Sequence, residues 1–260
     1  MALSVERLEG GVALVTLTAE SAQNAFSIEA MTTISTTINS LIDDEEIQAF
    51  VLTGTGKFFC AGADINEFRE CYDDDTISDL VQGLTDILHP LLVRIRQSDT
   101  VYVAAMNGAA AGGGLGLALA ADYRMAIPQT KIAAAFFSLG LSPDGGTTWL
   151  LPRLVGPQRA KKFFFNNETW SGEQALELGV IDELVEPQDL ILSSLKIAIS
   201  WGKWAKSSRA GTKQLLDSQS YQDFETQLHD EQVRIVAASQ TKQFSEGVDA
   251  FIEKRDPNFQ

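Results

Sequence analysis

The stretch Asn107–Asp122, NGAAAGGGLGLALAAD, decides how this chain is read. Three consecutive glycines, Gly112, Gly113 and Gly114, precede an apolar run, Leu115–Ala121, which is long enough for about two helical turns. Glycine lets the backbone turn sharply and approach a ligand closely, because no Cβ stands in the way. A helix that begins just after such a turn directs its first free N–H groups, and the positive end of its dipole, at whatever lies there. The stretch therefore offers a backbone site for an oxygen that is, or becomes, negative. Tight glycine packing between two buried elements is the alternative that these residues alone leave open.

Working outward, a second segment has the same build. Phe58–Phe68, FFCAGADINEF, follows a strand-like run, Ala49–Thr53, and again sets small residues (Ala61, Gly62, Ala63) ahead of a polar, helical segment. Two separate backbone N–H donors that converge on one oxygen make an oxyanion hole. CAGADINEF, NGAAAGGGLGLALAAD, LGLSPDGGTTWLLPRLVG, ALELGVIDELV and EGVDAFIEKRDPNF follow one another in that order. With these motifs the chain resembles the crotonase (enoyl-CoA hydratase/isomerase) superfamily from its first strand to its C-terminus.

The 260 residues suffice for one large domain or two small ones, and either can bury a core. A hydrophobic content of 45% and a charged content of 21% are ordinary for a soluble globular protein. The formal net charge of −15 argues against nucleic acid and anionic membrane surfaces as partners. It also means that an anionic ligand such as coenzyme A needs locally placed cations. Val101–Ala121 carries no charge, but Asn107 and five glycines interrupt it and Asp122 follows at once, so it is not read as a membrane span. Cys60 and Cys71, with no secretory signal ahead of them, are expected to be free thiols in a reducing cytoplasm.

Leu3–Leu8 and Val12–Thr18, around Glu9-Gly10-Gly11, read as a hairpin. Gln23–Ser27 is a loop ending in an N-cap, Ser27, and the helix after it carries Met31, Ile34, Ile38 and Ile42 at helical spacing. Asp73-Asp74-Asp75 reads as a solvated loop or helix start rather than a metal site. Asp79–Arg96 is a helix, and Val101–Met106 is a buried strand feeding the triple glycine. Tyr123–Ile127 and Lys131–Ala135 are strands. Short helices are expected near Thr148–Leu154, Gln158–Phe165 and Gly172–Leu178, with a short return at Val180–Val185. From Gln188 onward the chain is helical, over Leu190–Lys203, Arg209–Gln219 and Tyr221 to about Ser239. Strands alternating with helices, then helices alone, predict a layered α/β core with a helical C-terminal region. The resemblance sharpens this to a crotonase-like spiral of ββα units over residues 1–188, holding the coenzyme A and active site, and a helical trimerisation region over 189–260. It implies a homotrimer or a dimer of trimers.

The resemblance also assigns residues. The two backbone donors to a thioester oxygen are Ala63, after the glycine of the AGAD motif, and Gly113, the middle of the triplet. No cofactor is tightly bound; a coenzyme A thioester is the substrate. Its adenine is expected along Asn24-Ala25-Phe26 and along Ala61–Ile65, with backbone groups of Ala61, Asp64 and Ile65 as contacts. Lys57 and, from a neighbouring subunit, Lys254 are the candidates for its phosphates. The Arg or Lys that the family carries ahead of the Asn-Ala pair is missing in AESAQNAF.

Proton transfer is where the chain departs from the pattern of the classical hydratases it resembles. Crotonase hydratases use two glutamates, and the matching positions here are Gly116 and Phe136, neither of which can move a proton. Rapid hydration is not expected by that route. Asp144, within Leu139–Leu151 (LGLSPDGGTTWLL), resembles the loop carboxylate of Δ3,Δ2-enoyl-CoA isomerases and phenylacetate-pathway ring isomerases. There one base takes the C2 proton, the charge delocalises onto the thioester oxygen, and the same acid returns the proton at C4. An Asp in water, with a pKa of about 3.9, is a feeble base at neutral pH. Burial among Phe136, Phe137, Leu139 and Trp149 is expected to raise it. These residues also allow Asp144 to be only the N-cap of a helix starting near Gly145.

His89, in QGLTDILHPLLVRIR, sits on an otherwise apolar helix, where a lone histidine is ordinarily structural. In the 4-chlorobenzoyl-CoA dehalogenase branch, a histidine at a similar place accompanies an aspartate nucleophile at the Asp144 place. That branch has a tryptophan where this chain has Phe136. His229 reads as structural. Gly54-Thr55-Gly56-Lys57 lacks the spacing of a phosphate-binding Walker loop, and neither a GxSxG elbow, an HExxH motif nor paired CxxC motifs occur, so no metal is expected. Three functions stay open: an acyl-CoA isomerase; a weak hydratase, or a hydrolase or dehalogenase acting through Asp144 and His89; and a non-catalytic acyl-CoA-binding subunit.

Overall fold

Two central strands, each buried on both faces, set up the molecule. The structure is a computed structural model that describes residues 3–19 and 23–259; Glu20, Ser21 and Ala22 of the AESAQNAF segment lie outside the described residues. The chain opens with β1 (Leu3–Leu8) and β2 (Val12–Leu17), which pair antiparallel. Helix α1 (Ile28–Asp43) follows, and the Ser27 hydroxyl caps it by accepting the Ala30 N–H at 3.1 Å. Next come β3 (Ala49–Gly54), β4 (Phe58–Cys60), α2 (Ile65–Asp73) and α3 (Ile77–Gln97). The third stretch holds β5 (Val101–Met106), β6 (Ala109–Ala111) and α4 (Gly113–Leu119), and the fourth β7 (Tyr123–Ala126) and β8 (Lys131–Ala133). Helices α5 (Thr147–Val155) and α6 (Pro157–Phe165), strand β9 (Thr169–Ser171), helix α7 (Gly172–Glu177) and strand β10 (Glu183–Leu184) complete the sheet-bearing part. Four helices close the chain: α8 (Leu190–Gly202), α9 (Lys206–Ser218), α10 (Phe224–Ala238) and α11 (Lys242–Glu253).

The strands form a six-stranded sheet, β1-β2-β3-β5-β7-β10, parallel beyond the first hairpin, and a four-stranded sheet, β4-β6-β8-β9. In three successive units the first strand (β3, β5, β7) enters the large sheet and the second (β4, β6, β8) the small one. This is the α/β spiral of ββα units. The three-residue strands β4, β6 and β9 are not distinguishable in the sequence, because three residues cannot display an alternation. Lys131–Ala135 overshoots β8 by two residues: Ala135 has φ +59°, a left-handed conformation that no strand continues through.

Strand alternation sorts the core into two layers. Phe50 and Leu52 of β3, with Tyr102, Ala104 and Met106 of β5, face α1 and α3, where Met31, Ile34, Ile38, Leu88, Leu91 and Ile95 are buried. Phe50 and Tyr102 stack at 4.6 Å between ring centroids. The intervening residues Ala49, Val51, Val101, Val103 and Ala105 face the other way, against Leu190 and Ala198 of α8. The first helix of the C-terminal region thus covers the large sheet. The Asp73–Asp75 run proves to be a helix end: Asp73 closes α2, Asp74 is its C-cap, and Asp75 turns at φ +58°. Cys60 is buried and Cys71 half-buried, both unpaired, and burial pushes the Cys60 thiol up to about 12. Among the described residues no helix is long and apolar enough to cross a membrane.

Candidate active site

The two small-residue segments meet. Strand β3 runs into β4 and then Ala61-Gly62-Ala63, while β5 runs into β6 and then the triple glycine; β4 and β6 are paired, which brings the two turns side by side. A Cβ on Gly62 would lie 2.9 Å from the Ala111 carbonyl oxygen and 3.1 Å from the Gly113 nitrogen. Gly62 turns at φ +87° and Gly112 at φ +52°, conformations that favour glycine. Phe26 bridges to this segment: its N–H donates to Gly62 O at 2.6 Å and its carbonyl accepts from Asp64 N at 3.1 Å. Ala63, between them, keeps its N–H off that bridge. Gly113 is the first residue of α4, so its N–H has no acceptor within the helix. The members of the glycine triplet therefore differ in their surroundings. Gly114 is a packing glycine, since a Cβ there would lie 2.4 Å from the Cys60 carbonyl oxygen.

Ala63 and Gly113 line one cavity of about 500 Å³. Its walls are apolar: Phe26, Phe68, Leu84, Leu88, Phe136 and Leu141, with Thr85, Ser138 and Ser142 as neutral polar groups. Ala61, Ile65 and Asp144 also line it, and Asp144 is the one ionisable side chain lining it among the described residues.

Asp144 precedes α5, but its carboxylate does not cap that helix. Gly146 is the N-cap, and Thr147 donates its N–H and hydroxyl to the backbone carbonyl of Asp144, at 3.3 and 2.8 Å. The carboxylate Oδ1 instead meets His89 Nε2 at 2.6 Å. The apolar neighbours expected for Asp144 are only partly there. Phe136 and Leu139 line its cavity, but Phe137 packs edge-on against Phe165, with ring centroids 5.3 Å apart. Trp149 faces a different groove, beneath the Arg153 guanidinium 3.3 Å from its ring centroid. Asp144 keeps 37% of its side chain exposed, so it sits at the cavity mouth rather than in an apolar interior.

The place of the first hydratase glutamate is closed by backbone. A Cβ on Gly116 would fall 2.0 Å from the carbonyl oxygen of Gly145, the residue after Asp144. Gly145 in turn packs against Gly113, where its own Cβ would lie 3.3 Å from the Gly113 Cα. The loop that presents Asp144 thus occupies the space a longer side chain at 116 would need.

The expected coenzyme A contacts divide into two groups. Ala61 and Ile65 open onto the cavity, and Ile65 is 51% exposed at the first turn of α2. Ala61 N–H is bound by Gln23 O and Asp64 N–H by Phe26 O, and the Asp64 carbonyl accepts from Phe68 N at 3.0 Å, so of these three residues' N–H groups that of Ile65, at the first turn of α2, is the one with no acceptor within the helix. The Asp64 carboxylate caps α2 on Asn66 N at 2.8 Å. Asn24 is buried at φ +54°, and its amide nitrogen donates to Thr55 O and Phe58 O. Asn107, unassigned from the sequence, donates to Gly56 O and Phe58 O while its oxygen accepts from Gly54 N at 2.8 Å. These two amides clamp the 54–58 turn that leads into the AGAD segment. Ala25 is half-buried beside Phe26, Lys57 is exposed, and Lys254 is an exposed residue ending α11 at φ +57°. Neither lysine lines the cavity.

Comparison with known proteins agrees with this architecture. The sequence profile described as "Enoyl-CoA hydratase/isomerase" matches residues 7–260. The chain is 32% identical to a 1,2-epoxyphenylacetyl-CoA isomerase of Escherichia coli, over 100% of this chain and 98% of that protein. It is equally 32% identical to a short-chain-enoyl-CoA hydratase of Clostridium acetobutylicum, over 95% of this chain and 93% of that one. The crystal structure of an enoyl-CoA hydratase from Bacillus anthracis superposes with a TM-score of 0.91 at 27% identity, covering 100% of each chain. The motifs, the spiral of ββα units and these likenesses together mean that the chain belongs to the enoyl-CoA hydratase/isomerase family, also called the crotonase superfamily.

Proposed function

We propose that this protein is an acyl-CoA double-bond isomerase of the Δ3-to-Δ2 type, with Asp144 as its one base. The observation that carries this reading is the lining of the cavity. One carboxylate, that of Asp144, lines the same apolar cavity as Ala63 and Gly113, and the positions matching the two hydratase glutamates are Gly116 and the buried Phe136. The N–H groups of Ala63 and Gly113 would hold the thioester oxygen as it becomes an enolate, and losing one such donor raises a barrier by roughly 3–4 kcal/mol. A single carboxylate suffices for removing a proton at C2 and returning it at C4, whereas adding water needs a second group to activate it.

Under the same reading the coenzyme A moiety runs past Asn24, Ala25, Ala61, Asp64 and Ile65, with Lys57 and a neighbouring subunit's Lys254 near its phosphates. No tightly bound cofactor takes part. Residues 1–188 carry the site. Residues 189–260 add the helices that join subunits of a homotrimer, or of a dimer of trimers, in the cytoplasm. Apolar side chains left in water on the last helices support that assembly: Phe224 is 77% exposed, Ile235 71% and Phe251 86%.

The test is to follow purified protein with a 3-enoyl-CoA and with crotonyl-CoA. Conversion of the first to its 2-enoyl isomer, with little hydration of the second, is the expected result. Fast hydration of crotonyl-CoA overturns the reading. A second reading, nucleophilic attack by Asp144 on the acyl group, draws on the His89 contact; it requires a covalent acyl-enzyme visible by mass spectrometry.

A further inference from the structure

His89 and Asp144 are 55 residues apart in the chain, yet Nε2 and Oδ1 lie 2.6 Å apart. Helix α3 makes this possible. Val81, Thr85 and Leu88 line the cavity, and His89 continues that face by one position toward its mouth. An ionised carboxylate only accepts hydrogen bonds, so the hydrogen in this contact belongs to Nε2. Oδ1 is thereby occupied, while Oδ2 has no protein partner among the described residues.

We propose that His89 is a positioning residue that confines the migrating proton to Oδ2 of Asp144 and so makes the isomerisation an internal transfer from C2 to C4. The inference rests on the isomerase reading above. In the first step the C2–H bond breaks, Oδ2–H forms, and the released electron pair makes C1=C2 while the thioester carbonyl pair moves onto oxygen, the resulting enolate being conjugated with C3=C4. In the second, the Oδ2–H electrons return to oxygen, the proton bonds to C4, and C2=C3 and the thioester carbonyl are formed. Nothing is gained or lost overall.

Throughout, Nε2–H can donate to Oδ1, whether Asp144 is a carboxylate or the acid protonated on Oδ2. A proton on Oδ1 would instead face the Nε2 hydrogen across 2.6 Å, and could settle there only after His89 had given up that hydrogen. Without the imidazole N–H the carboxyl group is free to turn. With 37% of its side chain in solvent, it would then trade its proton with water between the two steps.

The experiment uses a 3-enoyl-CoA deuterated at both C2 positions, turned over in ordinary water by wild type, His89→Phe and His89→Gln. His89 is 49% exposed at its side chain, so both variants are expected to fold. Wild type should deliver deuterium to C4 of the product. His89→Phe, which lacks a donor, should lower the ratio of retained to exchanged deuterium by about tenfold, the factor one hydrogen bond to a charged group carries. Its kcat should fall with KM unchanged. His89→Gln, which keeps an N–H donor, should recover most of the retention; a merely structural histidine would give no such order. Equal retention in all three proteins, or no deuterium at C4 with wild type, overturns this inference and leaves the isomerase standing. No conversion by wild type overturns both.

Discussion

Gly116 offers the sharpest perturbation, because what a single methyl group would meet there is backbone. The added Cβ of Gly116→Ala falls 2.0 Å from Gly145 O, 2.8 Å from its carbonyl carbon and 3.0 Å from its Cα. Restoring ordinary contact requires the Gly145 segment to retreat by about 1 Å or more. It cannot retreat toward α4, since Gly145 already rests on Gly113. The loop must move outward and take Asp144 with it. Overpacking of this kind costs about 1–3 kcal/mol, or roughly 2–12 °C of Tm for a chain of this size. Displacing the base from the Gly113 side by about 1 Å costs on the order of 10²-fold in kcat. Gly116→Glu has the same clash and adds a charge with no room for it, so it should lose stability further and gain no hydratase activity. Thermal unfolding, 3-enoyl-CoA turnover and crotonyl-CoA hydration measure the three quantities. Unchanged Tm and kcat in Gly116→Ala, or new hydration in Gly116→Glu, would refute the packing argument.

Other outcomes follow from single sites. Gly211 lies in the interior of α9, where a Cβ would meet only the Arg234 side chain at 3.7 Å; Gly211→Ala should raise stability by about 0.5–1 kcal/mol, read by chemical denaturation. Glu246 is held down at about 2 by the hydrogen bonds of Arg255 and the Asn258 N–H. A carboxylate depressed in the folded state contributes stability that is present above its unfolded value of 4.5 and is lost as the pH falls through about 2. The segment after α11 should therefore loosen at acid pH, and hydrogen exchange of residues 255–259 should show it, with Glu246→Gln loosening the segment already at neutral pH.

How much of this was legible in the chain depends on the range of the interaction. The Ser27 cap, the stripe of Met31, Ile34 and Ile38, and the buried strand Val101–Met106 are local patterns, and the structure holds each where the pattern puts it. The order of motifs carried the family. Contacts between distant segments were out of reach. The sequence shows Leu88-His89-Pro90 and Ser142-Pro143-Asp144, but not that the imidazole and carboxylate meet. The signal that coupled them was the resemblance to the dehalogenase branch, which has a histidine and an aspartate at these two places. Trp149 looked like a neighbour of Asp144 because it is five residues away, yet α5 carries it to another face, under Arg153. The closure of position 116 is likewise invisible in a string of glycines, since it depends on which carbonyl of a remote loop arrives there. Asn24 carries a second task that its place in the sequence does not show: its amide clamps the turn between β3 and β4.

The central claim is that one carboxylate moves the proton on a backbone-held thioester. The measurement that tests it most directly is Asp144→Asn, compared with wild type for both turnover of a 3-enoyl-CoA and the Kd of a saturated acyl-CoA of the same chain length. The account predicts that kcat falls by about 10²–10⁴-fold while Kd stays within a few-fold, because the oxyanion donors and the cavity walls are untouched. Retained turnover in the variant, or binding lost in step with turnover, would contradict it.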